Sequence, residues 1–194
     1  MVAARTRYLT VEEAQRLLNA CDPEFRLLVR GALETGARYG ELCRLECGDY
    51  NPDSGTIYIR KSKSGKERHI ILTKDGARFF NQLCAGRKGP MFGREWKEYQ
   101  QKRPIAAACE RAKIDPAIGF HQLRHTWASL AVMAGMPLPV VSKNLGHANG
   151  KMVEIHYGHL AQNYVVEQVH QFGPKYGIEE PTNVLVPRRT RGLP

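Results

Sequence analysis

The stretch from Gly119 to Leu160, GFHQLRHTWASLAVMAGMPLPVVSKNLGHANGKMVEIHYGHL, constrains this chain more than any other. Apolar-periodic segments are separated by Gly135, Pro137 and Gly146, so this part must be a series of short helices, not one long one. The first, Gly119 to Ala134, places Leu123, Trp127 and Leu130 on one side and His121, Arg124, His125 and Ala128 on the other. That spacing predicts a helix that packs through its apolar face and presents its cationic residues together. A second helix opens at Pro137, runs through Val140, Val141 and Leu145, and ends at Gly146. After the loop HANGK, a short helix holds Met152, Val153, Ile155 and Tyr157. A last helix, from about Ala161 to Phe172, repeats Val165, Val169 and Phe172 at i, i+4 and i+7.

Upstream, the signals alternate between helix and strand. Thr10 and Glu13 form a capping box ahead of Val11, Ala14, Leu17 and Leu18. Asp22-Pro23 starts a second helix, which Gly36 closes. A short helix from about Ala37 to Leu45 sets Arg38 and Glu41 at i and i+3; an ordinary surface ion pair is the more frequent fate of such a pair. From Tyr50 the period becomes two. Ile57 and Ile59 alternate with Tyr58 and Arg60 between the turn clusters NPDSG and SKSGKE, and RHIIL follows. These segments predict two or three antiparallel strands with basic tips: Arg60, Lys61, Lys63, Lys66 and Arg68.

Thr73 caps a helix to about Leu83. Another starts near Glu95, breaks at Pro104 and resumes to about Ile114. Its polar face, with Lys102 and Arg103, suits either a phosphate backbone or plain solvent. The fold class is α+β, mainly α-helical. Beyond Phe172 four prolines and an Arg188-Arg189-x-Arg191 cluster predict a flexible basic tail, so residues 1–172 read as one domain and 173–194 as an appendage.

The net charge of +10 favours a polyanionic partner, with nucleic acid first. The five cysteines are scattered and odd in number, which argues against a disulfide framework and for reduced thiols. No apolar run is long enough to span a bilayer, and the N-terminus lacks the apolar core of a signal peptide. A cytoplasmic, nucleoid-associated protein is expected.

A phosphodiester is a poor electrophile shielded by its own charge. Cutting it without a metal requires cations on the non-bridging oxygens, a nucleophile, and an acid for the departing oxygen. Arginine suits the first task because its planar fork keeps its charge and donates two bonds. Tyrosine can be a covalent nucleophile, and histidine or lysine can move protons. This chain carries all of these residue types.

Thr35-Gly36-Ala37-Arg38-Tyr39-Gly40-Glu41-Leu42 resembles the first arginine box of the tyrosine recombinases, the phage integrase family. His121-Gln122-Leu123-Arg124-His125 resembles its His-x-x-Arg-His box. Leu145-Gly146-His147 and Tyr157-Gly158-His159 resemble its C-terminal box, and Lys63 matches its hairpin lysine. The match runs in family order from about Arg7 to Phe172. The resemblance implies a tyrosine recombinase catalytic-domain fold and these roles. Arg38 and Arg124 bind the scissile phosphate, with His147 as a further donor. Tyr157 attacks phosphorus to give a 3′-phosphotyrosyl link. Lys63 protonates the departing 5′ oxygen, and His121 assists proton movement at Tyr157. Glu41 supports the first-box arginine, and His125 has a secondary structural part. The basic hairpin tips Lys61, Lys66 and Arg68 and the helix-face residues Lys102 and Arg103 are the candidate DNA contacts. The resemblance further implies double-stranded DNA as partner, a tetrameric synapse on it, and no metal, ATP or other cofactor.

Three departures and three rivals accompany this reading. Cys47 stands where the family often has tryptophan. The step from His147 to Tyr157 is one residue longer than the commonest family pattern, with Gly150 available to absorb it. The first helix begins almost at once, so the family's separate helical DNA-clamping domain is not expected in this chain. The rivals are a zinc site on His121, His125 and His147, a non-catalytic DNA-binding module, and a type IB topoisomerase. The zincin pattern requires Glu after the first His, where this chain has Gln122.

Overall fold

The computed structural model describes residues 7–60, 67–147, 151–161, 166 and 170–174. Eight α-helices and three short strands appear among them. Helix α1 (Val11–Ala20) begins with the expected capping box. The Thr10 hydroxyl accepts from the Glu13 amide at 3.2 Å, and the Glu13 carboxylate accepts from the Thr10 amide at 2.9 Å. Helix α2 (Pro23–Thr35) has proline at its first position and ends on Gly36, whose φ of 62° is left-handed. A Cβ at Gly36 would also lie 2.6 Å from a Leu145 methyl, so glycine is needed there for conformation and for space.

Helix α3 is one turn, Tyr39–Leu42, and a 3-10 turn at Cys47–Asp49 leads into the sheet. Strands β1 (Tyr50–Asn51), β2 (Thr56–Ile59) and β3 (Arg68–Ile71) pair antiparallel in the order β1-β2-β3. Ile57 stands opposite Ile70 and Ile59 opposite Arg68. Ile57, Ile59 and Ile70 are all buried, so the alternation predicted from the sequence sets the inward face. Lys61, Lys63 and Lys66 lie outside the described residues.

Helix α4 (Lys74–Cys84) is capped by Thr73, whose hydroxyl accepts from the Gly76 amide. Helix α5 spans Lys102–Arg111. The expected helix from Glu95, broken at Pro104, is therefore corrected. Residues 94–97 are irregular and 98–101 form turns, with Tyr99 at a φ of 68°, and Pro104 sits in the first turn of α5. A proline there removes no intrahelical bond, because those amides have no acceptor anyway.

Helices α6 (His121–Met133), α7 (Leu138–Leu145) and α8 (Lys151–Tyr157) follow, with a 3-10 turn at Gly158–Ala161. Helix α6 does not divide into an apolar and a cationic side. Ala128, Ser129 and Arg124 are buried along with Leu123 and Trp127. It packs against α2 on one flank and α7 and α8 on another, so it is the central helix of the domain. Thr126 ties the N-terminal segment to it, accepting from the Leu9 amide at 3.0 Å. In the expected last helix, Val165 and Val169 fall outside the described residues, while Val166 and Phe172 are exposed.

Two apolar clusters hold these parts. The larger joins α1 to α5, the sheet and the start of α6. The smaller gathers Trp127, Ala128, Val132, Val141, Leu145, Val153 and Tyr157 from α6, α7 and α8. Each large apolar side chain fully buried in them stabilises the fold by about 1.5–3 kcal/mol. Tyr157 therefore belongs to a core as well as to the site described next.

Candidate active site

Arg124 is the centre of the arrangement. It is only 4% exposed, yet its guanidinium is well satisfied. One Nη donates to the Gly36 carbonyl at 2.8 Å; the other donates to the Leu145 carbonyl at 3.0 Å and lies 2.8 Å from His147 Nε2. Both carbonyls close a helix: Gly36 caps α2, and Leu145 ends α7 ahead of left-handed Gly146. Two helix C-termini, each with partial negative charge, thus converge on one buried cation. Isolated burial of such a charge costs several kcal/mol, and this partner set offsets it. Burial and then the charge of Arg38 push its pKa down to about 10, which leaves it a cation at neutral pH.

Arg38 stands at the N-cap of α3 and is half-open to solvent. Its amide donates to Glu41 Oε2 at 2.9 Å, and its Nη1 to Oε1 at 3.1 Å. Glu41 is buried, and burial alone would raise its pKa. The hydrogen bonds and charge of Arg68, then the Arg38 amide and charge, hold it down to about 2. The pairing of Arg38 with Glu41 is more than the surface ion pair that spacing alone allowed.

His147 follows the closure of α7, where the Gly146 and His147 amides turn back to Lys143 and Ser142. Because Arg124 donates to its Nε2, the proton of neutral His147 sits on Nδ1. That Nδ1 is buried and has no hydrogen-bond partner among the described residues. Burial, then the charges of Arg124, Arg38 and Arg68, push its pKa down to about 4.

Tyr157 ends α8 with its ring buried and its hydroxyl 2.5 Å from His125 Nδ1. Burial pushes the phenol up to about 12, against the opposing pull of Arg124. The His125 pKa is pushed down to about 4, first by burial, then by His121, His156 and Arg124. Both groups are thus neutral at pH 7, and the phenol donates to the ring nitrogen. His121 was the histidine expected to assist Tyr157; among the described residues the ring hydrogen-bonded to the Tyr157 hydroxyl is that of His125. His121 sits at the first position of α6 and stacks edge-on against the His125 ring at 4.8 Å. Burial and the nearby arginines lower its own pKa. One helical turn later, His125 faces α8 and reaches the hydroxyl.

A cleft of about 1040 Å³ opens beside Arg38, lined also by Arg44, Trp96, Lys97, Tyr99 and Gln101. Exposed Lys102 and Arg103 follow Gln101 in sequence, and the Lys102 ammonium lies over the Tyr99 ring. Among the described residues, no group of three or more His, Cys, Asp or Glu side chains is placed to hold a metal ion. No helix among them is long and apolar enough to cross a membrane.

The family model for the phage integrases matches residues 7–163. The chain belongs to the phage integrase family. It is 30% identical over 196 residues to the integrase of Salmonella phage P22, covering 91% of this chain and 50% of that protein. Among solved structures, it is similar to the catalytic domain of bacteriophage HP1 integrase: TM-score 0.69, 31% identity, 86% of this chain and 95% of that one. The fold is shared with XerH recombinase bound to its difH substrate in a post-cleavage complex, at TM-score 0.65, 22% identity and coverage of 87% and 54%. The chain spans about half the length of several curated relatives it matches.

Within this phage integrase fold, Arg38, Arg124, His121, His125, His147, Glu41 and Tyr157 come together from α3, α6, the end of α7 and α8. Arg68 was expected on DNA. It is instead turned inward, donating to both Glu41 oxygens at 2.8 Å, with 10% of its side chain exposed. Its parity with Ile70 in β3 was the available signal, and its charge masked it. Asn144 and His156 were also missed; His156 lies 6.1 Å from the His125 ring. Nothing in its spacing distinguishes His156 from a solvated residue.

Proposed function

We propose that this chain is the catalytic domain of a site-specific DNA recombinase that cuts and rejoins strands through a 3′-phosphotyrosyl link at Tyr157. The observation that carries the reading is the Tyr157 hydroxyl held on a neutral His125, beside a buried Arg124 that is pre-oriented by two helix ends. The membership of the family and the DNA-bound state of the XerH relative support DNA as the partner.

In this reading the scissile phosphate sits between Arg38 and Arg124, with His147 as a third donor. The Tyr157 oxygen forms a bond to phosphorus while its proton passes to His125 Nδ1. The bond from phosphorus to the 5′ oxygen breaks, and Lys63 protonates that oxygen. The approaching phosphate dianion-like transition state raises the basicity of His125, because a negative charge favours its protonated form. Rejoining runs the same steps backwards from the 5′ hydroxyl of another strand. The bond energy is kept in the phosphotyrosine, so the cycle calls for no ATP or metal. Preorganised cationic donors of this kind contribute on the order of 3 kcal/mol each. Lys61, Lys66, Lys102 and Arg103 hold the flanking backbone, and four copies assemble on paired sites in the cytoplasm.

The test is covalent capture. A pool of nicked random-sequence duplexes is incubated with the chain in EDTA, then denatured. A protein–DNA adduct that survives denaturation is expected, and its enriched sequences define the site. DNA binding without any adduct would leave only the inert DNA-binding module.

A further inference from the structure

Arg68 opens β3 on the same sheet face as buried Ile70 and opposite buried Ile59. Its guanidinium meets Glu41 as a two-pronged fork, Nη1 to Oε1 and Nη2 to Oε2, 2.8 Å each. Its Nε donates to the Asn144 carbonyl at 3.3 Å. The Arg68 stem passes directly beneath Gly146. A Cβ at that glycine would lie 2.6 Å from Arg68 Cδ and 2.7 Å from Nε. The Asn144 side chain completes the join, accepting from the Ile71 amide at 2.8 Å and donating to the Ile71 carbonyl at 3.3 Å. It thereby continues the ladder at the β3 edge. Three separate parts of the site meet on this one arginine: the Arg38–Glu41 turn, the hairpin, and the α7 end that leads to His147.

The charges decide what the fork does. Glu41 offers one negative charge to two arginines. Arg68 takes both oxygens at 2.8 Å with its side chain nearly buried, while Arg38 reaches one oxygen at 3.1 Å with its side chain 32% exposed. A bidentate pair in a buried setting is the stronger contact. Glu41 is thus neutralised mainly by Arg68, and the surplus positive charge of the trio falls on the member open to solvent. Were Arg68 neutral, Glu41 would draw more strongly on Arg38, its remaining ion-pair partner, and offset the charge meant for a phosphate.

We propose that Arg68 is a positioning residue: it satisfies Glu41 so that the charge of Arg38 stays available to the scissile phosphate. The proposal rests on the reading of Arg38 as a phosphate ligand. Lysine cannot replace it, because a single ammonium cannot meet both carboxylate oxygens and the Asn144 carbonyl in one plane.

The experiment compares adduct formation on two nicked duplexes of the captured sequence. One carries the natural phosphodiester at the cut position, the other a methylphosphonate, which is uncharged and so needs less cationic stabilisation. An adduct from the natural chain on the phosphodiester establishes the recombinase reading separately. Arg68→Met is expected to slow the phosphodiester reaction by about tenfold or more, and the methylphosphonate reaction by less than about twofold, each relative to the natural chain. The double variant Glu41→Gln with Arg68→Met, which removes the competing carboxylate too, is expected to recover most of the phosphodiester rate. Equal slowing on both linkages, no slowing on either, or a double variant no faster than Arg68→Met would overturn the proposal.

Discussion

His125 Nδ1 lies 2.5 Å from the Tyr157 hydroxyl, while His121 packs edge-on against the same imidazole with ring centroids 4.8 Å apart. The two histidines of the His-x-x-Arg-His box are therefore not equivalent. One turn of α6 separates the ring that touches the Tyr157 hydroxyl from the ring that stacks on it. A phenol held near 12 by burial is protonated at neutral pH, so the attack proposed for it would need a proton acceptor at that distance.

His125→Ala is accordingly expected to slow adduct formation by about 10²–10⁴-fold at pH 7.5. His121→Ala should cost less, because its ring touches His125 and not the hydroxyl. The His125→Ala rate should climb with alkaline pH, about tenfold per unit while the phenol remains mostly protonated. A pH series of single-turnover cleavage checks this. Equal losses for the two variants would count against the assignment.

Arg124 and Arg38 should separate folding from chemistry. Arg124→Met leaves two helix-end carbonyls and His147 Nε2 without their donor, so it is expected to lower stability by about 2 kcal/mol or more and to abolish the adduct. Arg38→Met removes a half-exposed ion pair and should change stability by less than about 1 kcal/mol. Its adduct rate should still fall by about 10²-fold. Urea unfolding alongside covalent capture distinguishes the two.

Acid should loosen the site before it unfolds the rest. His125 and His147 titrate near 4 in the folded chain, below the ordinary 6.5. Between those values the unfolded chain binds more protons, so their contribution to stability is complete above about 6.5 and is lost as pH falls toward 4. Glu41, held near 2, adds a further loss as pH falls below its ordinary 4.5. The melting temperature should drop steadily from pH 7 to pH 4, and His147→Asn should flatten that slope. A melting temperature independent of pH across this window would contradict the neutral assignment of both rings.

Gly36→Ala tests the close approach of α2 and α7. The change forces a side chain into a left-handed turn and against Leu145, for an expected loss of about 1–3 kcal/mol. Because the Gly36 carbonyl also holds Arg124, the adduct rate should fall with it. Thermal melting and capture on the same preparation check both effects.

Much of this was legible in the sequence, for identifiable reasons. Capping at Thr10 and Thr73, glycine closure at Gly36 and Gly146, and alternation in β2 are local effects, and local chemistry decides them. The motif spacing brought Arg38, Arg124, His147 and Tyr157 to one place. The failures are tertiary. Arg124 is buried in a helix packed on several sides, and only two distant helix ends make that tolerable. Arg68 looks like a basic hairpin tip until Glu41, distant in sequence, is seen to face it. Helical periodicity from Glu95 does not mark the true start of α5 at Lys102, because Pro104 breaks a helix interior but fits a first turn.

The central claim is that Tyr157 is the nucleophile. The direct measurement is mass spectrometry of the peptide carrying the captured DNA, with Tyr157→Phe run beside the natural chain. The account predicts a nucleotide-modified Tyr157 peptide from the natural chain. It predicts no adduct from Tyr157→Phe, with DNA binding unchanged because the hydroxyl contributes to chemistry and not to the basic surface. An adduct that persists in Tyr157→Phe, or one that maps to another residue, would contradict it.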